Sequence, residues 1–295
     1  MSARLRNMAT HFCLELIIVF MFIALTAGQN TTSSKNFTLV NVCKETIWPG
    51  ILTKSGNNLG GPSALKPGET AFYKLNLGWS GRIWARTGCN FDKNGTGHCQ
   101  TGSCGDSLNC TVPSVQPNTI AEITIGEPDY YDISIQDGFN VPIAIGALNG
   151  KGDCRSAGCD GDLRQSCPSE LAFRQDGELV ACRSACDTFG NATYCCRETS
   201  DTQGSCVPSN YSNSFKQVCP ATSITELNYI ISCSATEYVV AFCASRNQTV
   251  CSYHGNSLLC NTSSTSNGMK TLPQSWWIMV MLPLLALIPI LHVKH

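Results

Sequence analysis

The chain has 295 residues, of which 43% are hydrophobic, and it carries a formal net charge of −1. Four of its 20 basic residues and one of its 21 acidic residues lie in the two terminal segments described below, so the remainder has a net charge of −4. A mildly acidic body excludes a protein that binds nucleic acids through a basic surface, and we expect no nucleic-acid partner.

The first 28 residues have the pattern of an export signal. Arg4 and Arg6 precede an apolar stretch at 14–25, and three small residues follow at 26–28. We expect cleavage after Gly28, which places the mature protein outside the cell. An N-terminal membrane anchor is the alternative, although the apolar stretch is short for a membrane span.

Cysteine usage also indicates export. Of the 19 cysteines one, Cys13, lies in the predicted signal, which leaves an even number. This density is typical of disulfide-stabilised proteins in an oxidising compartment. No pair has the C-x-x-C spacing of a zinc site and His is scarce, so we expect no metal and no cofactor. Cys195 and Cys196 are adjacent, and bonding them together would strain the chain, so we expect them in two different bridges.

Asparagines in N-x-[ST] sequons fit an exported, glycosylated surface. Asn109 is doubtful because its middle residue is a cysteine. The other candidates are Asn30, Asn36, Asn94, Asn191, Asn210, Asn247 and Asn261.

The segment between the ends is long enough for one β-rich domain, which we place at 29–244. Turn signals such as Lys66-Pro67-Gly68 separate strand-like runs, and this spacing predicts a sandwich or barrel with its core at about 36–150 and 234–244. Residues 151–233 are rich in Cys, Gly and Asp and predict a disulfide-rich subdomain, with a short helix within 169–189. The predicted strands are 37–42, 70–77, 81–87, 119–125, 130–135 and 237–243.

Side-chain alternation places polar residues opposite apolar ones on three of these strands. Asp132 opposes Ile133, and we expect it to face solvent. Glu122 and Arg82 likewise oppose isoleucines on their strands, so the three polar side chains lie on non-core faces where they can converge. Asp137 has the opposite parity and precedes a glycine, where Asp-Gly predicts a turn.

The C-terminal segment predicts a membrane attachment. Residues 245–266 read as an extra disulfide loop, closed by Cys251 and Cys260, and a polar linker. Residues 267–295 have the small residues, short spacer and apolar run of a GPI-anchor signal, with Ser266 as the attachment candidate. A transmembrane helix is the alternative, but the apolar run is shorter than the ~20 residues that a span needs. Either way the folded part is expected outside the cell and tethered to its membrane.

Several motifs resemble thaumatin-like proteins, the plant pathogenesis-related family 5, over about 37–243. The resemblance implies a mainly β fold, an antiparallel β-sandwich beside a disulfide-rich loop and helix domain. The motifs are RIWARTGCNFD (82–92), GTGHCQTGSCGDSLNC (95–110), NTIAEITI (118–125), YYDISIQDGFNVP (130–142), YCC (194–196) and FC (242–243). The resemblance also implies the pairs Cys43 with Cys243, Cys89 with Cys99, Cys104 with Cys110, Cys154 with Cys233, Cys159 with Cys219, Cys167 with Cys182, Cys186 with Cys195 and Cys196 with Cys206.

The same resemblance implies an acidic cleft between the two main domains, built in the family from one Arg, one Glu and three Asp. The local motifs match four of these positions, Arg82, Glu122, Asp132 and Asp137. The segment 219–233 is shorter than in the family, and Glu226 is the nearest acid to the fifth position. Ser103 also replaces the Asp of the family's TGDC motif.

The resemblance implies a defence protein, expected to be monomeric, that binds β-1,3-glucan or a similar cell-wall polysaccharide and acts against fungi. Trp84, Tyr131 or Phe139 would then stack on sugar rings, with core packing as the alternative role. A second reading is a weak endo-β-1,3-glucanase, with Glu122 as the acid and Asp132 or Asp137 as its partner. A third is a cell-surface receptor or adhesion module, which the tethered C-terminus favours.

Overall fold

The computed structural model describes residues 34–61, 63–195, 208–224 and 228–248, together with the backbone of 250–254 and 257–261. Its main body is two β-sheets with a shared core. The first sheet has the order β11-β9-β15-β1-β3, with β1 at Ser34–Asn41, β3 at Thr70–Asn76, β9 at Ile143–Leu148, β11 at Ala157–Gly158 and β15 at Glu237–Phe242. The second has the order β10-β14-β8-β7-β4-β2, with β2 at Trp48–Ser55, β4 at Ser80–Arg86, β7 at Ile120–Thr124, β8 at Asp129–Ser134, β10 at Lys151–Gly152 and β14 at Ile231–Ser234.

Alternating apolar side chains build the core between the two sheets. Phe37 and Leu39 of β1 and Phe242 of β15 point inward from the first sheet, and Ile83 of β4 and Ile133 of β8 point inward from the second. Each of these side chains is buried, and full burial of such a group stabilises the fold by ~1.5–3 kcal/mol. The predicted β-sandwich is therefore confirmed. The pair β1 and β15 runs parallel, while the other strand pairs of the two sheets run antiparallel.

The strands predicted from alternation are confirmed in β1, β3, β4, β7, β8 and β15. Two of the longer strands, the edge strand β2 and the inner strand β9, are not predicted from the sequence. β2 contains Pro49 and Gly50, which mask a strand pattern, and Gly50 lies against the Trp84 ring where any Cβ would collide. All six residues of β9 are buried, so its sequence IAIGAL shows no alternation.

A second apolar cluster forms the core of the disulfide-rich part. Ile135 and Phe139, just beyond β8, pack there with Leu163, Leu171 and Phe215. The predicted helix within 169–189 is present, but a hairpin precedes it in the same stretch. The elements of this part are η1 at Leu163–Ser166, η2 at Ser169–Leu171, β12 at Ala172–Gln175, β13 at Glu178–Cys182, α1 at Ala185–Phe189 and α2 at Asn210–Val218.

Two more short hairpins complete the described part, and the second carries the predicted extra loop. It places Cys251 opposite Cys260 in register, although the side chains lie outside the described residues. The strands are β5 at Asn90–Phe91, β6 at Gly97–His98, β16 at Val250–His254 and β17 at Ser257–Asn261.

Disulfides join distant segments of the described chain, and every observed pair is one that the family resemblance implies. The longest-range bridge joins Cys43 to Cys243 across 200 residues of sequence, and it ties the end of β1 to the end of β15. The others are Cys89–Cys99, Cys104–Cys110, Cys154–Cys233, Cys159–Cys219, Cys167–Cys182 and Cys186–Cys195. The Cys196–Cys206 pair lies outside the described residues.

The predictions for the two ends of the chain also lie outside the described residues. These are the signal peptide at 1–28, the attachment residue Ser266 and the apolar tail. Among the helices that the structure does describe, none is long and apolar enough to span a membrane.

Removing the Cys43–Cys243 bridge should destabilise the protein more than removing Cys89–Cys99. The loops closed by the two bridges span 200 and 10 residues, and a cross-link stabilises mainly by restricting the unfolded chain. Replacing Cys43 and Cys243 by serine should lower the free energy of unfolding by ~4–5 kcal/mol. The matched variant with Cys89→Ser and Cys99→Ser should lose less than ~3 kcal/mol. Denaturant unfolding of both variants measures the difference, and the reverse order would contradict it.

Candidate functional site

The register of three neighbouring strands places three of the predicted site residues in one row. Arg82 of β4 lies opposite Glu122 of β7, and Glu122 lies opposite Asp132 of β8. Side chains opposite each other on one face have Cβ atoms about 4.5–5.5 Å apart. The row lies on the face turned away from the core between the sheets, as parity predicts.

Arg82 and Glu122 form an ion pair at the centre of the row. Nε of Arg82 donates to Oε1 of Glu122 at 2.7 Å, and both side chains are about 30% exposed. Neither the Nη atoms of Arg82 nor Oε2 of Glu122 have a hydrogen-bond partner among the residues that the structure describes. The pair therefore presents the Nη donors of Arg82 and the Oε2 acceptor of Glu122 to solvent.

Lys54 is a second cation at the row that sequence reasoning missed. Its Nζ lies 3.5 Å from Oε1 of Glu122. The pairing of β2 with β4 shifts register between Thr53 and Ser55, so Lys54 occupies a β-bulge. A bulge changes the direction of the side chain that it carries, and no local motif in the sequence predicts a bulge here.

Asp132 differs from its prediction, because the structure buries it. Its side chain was expected to face solvent, yet Asp132 is 8% exposed. The segment around Ser223 pairs with the end of β8, and it brings the Ser223 side chain close enough to influence the pKa of Asp132. Burial raises the pKa of Asp132 to about 6, and the charge of Glu122 adds to the rise while Ser223 and Arg82 oppose it.

Asp137 lies on the turn that follows β8, as its Asp-Gly sequence predicts. The N–H of Gly138 donates to the carbonyl of Ile135, and Gly138 has a φ of 89°. A Cβ at Gly138 would meet Pro117 and the carbonyl of Cys182, so the turn needs glycine there. Burial raises the pKa of Asp137, whereas Arg82 and a hydrogen bond from Gln116 lower it.

A fourth acid, Asp187 on α1, influences the same site. It is close enough for its charge to raise the pKa of Asp137. Its own carboxylate lies 3.6 Å from Nε of Arg183. The sequence predicts Glu226 as the acid nearest to the fifth position of the cleft, and Glu226 lies outside the described residues. Nothing in the run SACDTF distinguishes Asp187 from an ordinary acid on the first turn of a helix.

Comparisons with known proteins agree with this architecture. A model of the Thaumatin family matches residues 41–244. The chain belongs to the thaumatin family. It is 42% identical over 224 residues to the pathogenesis-related thaumatin-like protein 3.5 of Cryptomeria japonica, which covers 74% of this chain and 93% of that protein.

Two further relatives widen the comparison. Pathogenesis-related protein 5 of Arabidopsis thaliana is 40% identical over 233 residues, which cover 77% of this chain and 97% of that protein. An osmotin-like protein of Solanum lycopersicum is 39% identical over 218 residues, which cover 70% of this chain and 86% of that protein. The chain is thus a thaumatin-like protein of the pathogenesis-related type, as its motifs predicted.

The aromatic residues suggested for sugar stacking are core residues in this thaumatin-family domain. Trp84, Tyr131 and Phe139 are each almost fully buried. The indole N–H of Trp84 donates to the carbonyl of Gly102 at 2.7 Å. Tyr131 points into the core between the sheets, and Phe139 points into the second cluster. Trp84 shares the outer face of β4 with Arg82 but is covered by a separate cluster of Cys104, Cys110 and Ile120. None of the three rings therefore offers a face to a ligand.

Most of the asparagines predicted as glycosylation sites lie among the described residues. Of the glycosylation candidates, Asn94, Asn191, Asn210 and Asn247 are exposed, Asn36 is half-buried, and Asn30 and the Asn261 side chain lie outside the described residues.

Within the described residues, no cluster of three or more His, Cys, Asp or Glu side chains is arranged to hold a metal ion.

The raised pKa of Asp132 predicts a specific pH dependence of stability. A buried carboxyl with a raised pKa favours the folded state only while it is protonated, so its contribution is lost as pH rises from about 4 through 6. The Asp132→Asn variant does not titrate, so its free energy of unfolding should rise relative to wild type by roughly 3 kcal/mol between pH 4 and pH 7.5. Denaturant unfolding at several pH values measures this.

The matched control is Asp106→Asn, which removes an exposed carboxyl from the 104–110 loop. Its free energy of unfolding is measured relative to wild type over the same pH range, and the pH-dependent rise should be specific to Asp132→Asn. A constant difference for Asp132→Asn would contradict the raised pKa.

Proposed function

We propose that this protein is a defence-type protein that binds β-1,3-glucan, or a similar neutral cell-wall polysaccharide, at the row Arg82, Glu122 and Asp132 and the adjoining Asp137. The observation that carries the proposal is the half-exposed Arg82–Glu122 pair, whose outer donors and acceptor have no partner among the described residues. Bound hydroxyl groups would supply those partners.

The chemistry of the row suits a polymer rich in hydroxyl groups. Each sugar hydroxyl can donate one hydrogen bond and accept others. Oε2 of Glu122 accepts, while the Nη atoms of Arg82 and Nζ of Lys54 donate. Hydrogen bonds that involve a charged group are worth ~1.5–3 kcal/mol each, so a few of them give a short oligosaccharide measurable affinity.

The charges of the site favour a neutral polysaccharide over an anionic one. Glu122 already neutralises Arg82 and lies 3.5 Å from Lys54. The carboxylates of Asp137 and Asp187 lie nearby. An anionic polymer would be repelled by these carboxylates, whereas neutral hydroxyl groups meet no such repulsion.

Glu122→Gln should weaken the binding of laminarin oligosaccharides by tenfold or more. The amide replaces a charged acceptor and leaves Arg82 without its ion-pair partner, a loss of ~1.5–3 kcal/mol. Isothermal titration of the exported domain measures the affinity. Glu178→Gln makes the same substitution at an exposed position of β13 and should bind as wild type does. Equal affinity for the Glu122→Gln variant and wild type would contradict the proposal.

Weak endo-β-1,3-glucanase activity is a second candidate, because the two opposed carboxyls have different environments. Glu122 is ion-paired, while Asp132 is buried with its pKa raised to about 6. In glycoside hydrolysis the carboxyl with the raised pKa is the proton donor, so Asp132 would be the acid and Glu122 its partner, the reverse of the assignment from sequence. Cβ atoms about 4.5–5.5 Å apart allow the ~5–5.5 Å carboxyl separation of a retaining enzyme.

The same variants separate binding from hydrolysis. Release of reducing ends from laminarin by wild type, with loss in Glu122→Gln and Asp132→Asn, would establish the enzyme. Equal and negligible rates in all three proteins, together with retained binding by wild type, would leave binding as the function.

The export and anchor signals complete the proposal, in which the domain binds glucan at the outer surface of the cell and acts there against fungi. Phosphatidylinositol-specific phospholipase C should release the protein from intact membranes, because that enzyme cleaves a GPI anchor of the kind predicted near Ser266. Release by detergent alone would favour a transmembrane tail instead. Release by salt alone would contradict any anchor.

A further inference from the structure

An exposed tyrosine adjoins the row of charged residues. Tyr130 of β8 precedes Asp132 by two positions, so the two side chains share one face of the strand about 7 Å apart. Tyr130 is 46% exposed, in contrast to Trp84 and Phe139. Its hydroxyl has no hydrogen-bond partner among the described residues. This ring, absent from the sequence-based candidates, is therefore open to solvent beside the site.

Hydroxyl-bearing side chains form a second row in register with Tyr130. Ser80 of β4 lies opposite Thr124 of β7, and Thr124 lies opposite Tyr130. Ser232 of β14 lies opposite Tyr130 on the other side. The hydroxyls of Ser80 and Thr124 are 2.9 Å apart, and all four side chains are exposed or half-exposed. The row runs parallel to the charged row, one step along the strands.

An exposed isoleucine borders the same patch. Ile230 immediately precedes β14, and its parity matches that of Ser232, so it lies on the face that carries Tyr130. It is 61% exposed. A single exposed apolar side chain is ordinary, but here an aromatic ring and an aliphatic side chain adjoin a row of hydroxyls next to the charged row.

We propose that Tyr130, Ile230 and the row Ser80, Thr124 and Ser232 form a second sugar subsite, in which a further hexose ring of the bound glucan stacks on Tyr130. The inference rests on the proposed function of the charged row. A pyranose ring has an apolar face and polar edges, so it fits an aromatic face flanked by hydroxyls that both donate and accept. The subsite would extend the bound chain along β8, away from the Ser223 segment.

Oligosaccharide length tests the second subsite. Wild type should bind a laminarin hexasaccharide about tenfold or more tightly than a disaccharide, because only the longer chain reaches both rows. Tyr130→Ala should remove that preference and bind both sugars with nearly the affinity that wild type has for the disaccharide. Tyr130→Phe keeps the ring and should retain the preference. Isothermal titration measures each affinity, and circular dichroism verifies that each variant is folded.

Phe72→Ala is the matched control, because Phe72 is a comparably exposed aromatic residue on β3 of the other sheet. It should bind both sugars as wild type does. Wild-type length preference in Tyr130→Ala would overturn the second subsite, and if Glu122→Gln still weakened binding the charged row would stand. Absence of binding to either sugar by wild type would overturn both proposals.

Discussion

The antiparallel register of β4, β7 and β8 is the constraint on which the site depends. Ladder hydrogen bonds fix which residues lie opposite each other, and a shift by one residue would turn every side chain of a strand to the other face. Ile83, Ile123 and Ile133 hold the register, since a slip would expose them to solvent. The same register aligns Arg82 with Glu122 and Asp132. Core packing and site geometry are thus two results of one pairing.

The disulfide-rich part supplies the second side of the site. The Ser223 segment pairs with the end of β8 and buries Asp132, and the pairing of Phe139 with Cys182 fixes the turn that carries Asp137. Asp187 adds its charge from α1. Because the sandwich alone would leave Asp132 in water, its raised pKa is a property of the two parts together. The bridge Cys159–Cys219 closes a loop within the disulfide-rich part, and the bridge Cys154–Cys233 ties this part to β14, close to the junction.

The alternation of polar and apolar residues was sufficient to predict the strands of this row and the face on which its side chains lie. Alternation did not predict burial or position where these depend on contacts with residues distant in sequence. Burial of Asp132 depends on a segment about 90 residues later, and the position of Lys54 depends on a bulge that shows no sequence signal. Tyr131 has the parity of Ile133 and points into the core, whereas Tyr130 has the parity of Asp132 and stays exposed, because no described segment covers it as the Ser223 segment covers Asp132. Local periodicity thus predicts the strand face on which a side chain lies, whereas tertiary packing determines how exposed that side chain is.

A crystal structure of the exported domain with a laminarin hexasaccharide tests the central claim most directly. We expect sugar hydroxyls within hydrogen-bond distance of Oε2 of Glu122 and the Nη atoms of Arg82, with the row otherwise unchanged. A sugar bound on another surface, while the Arg82–Glu122 row contacts only water, would contradict it.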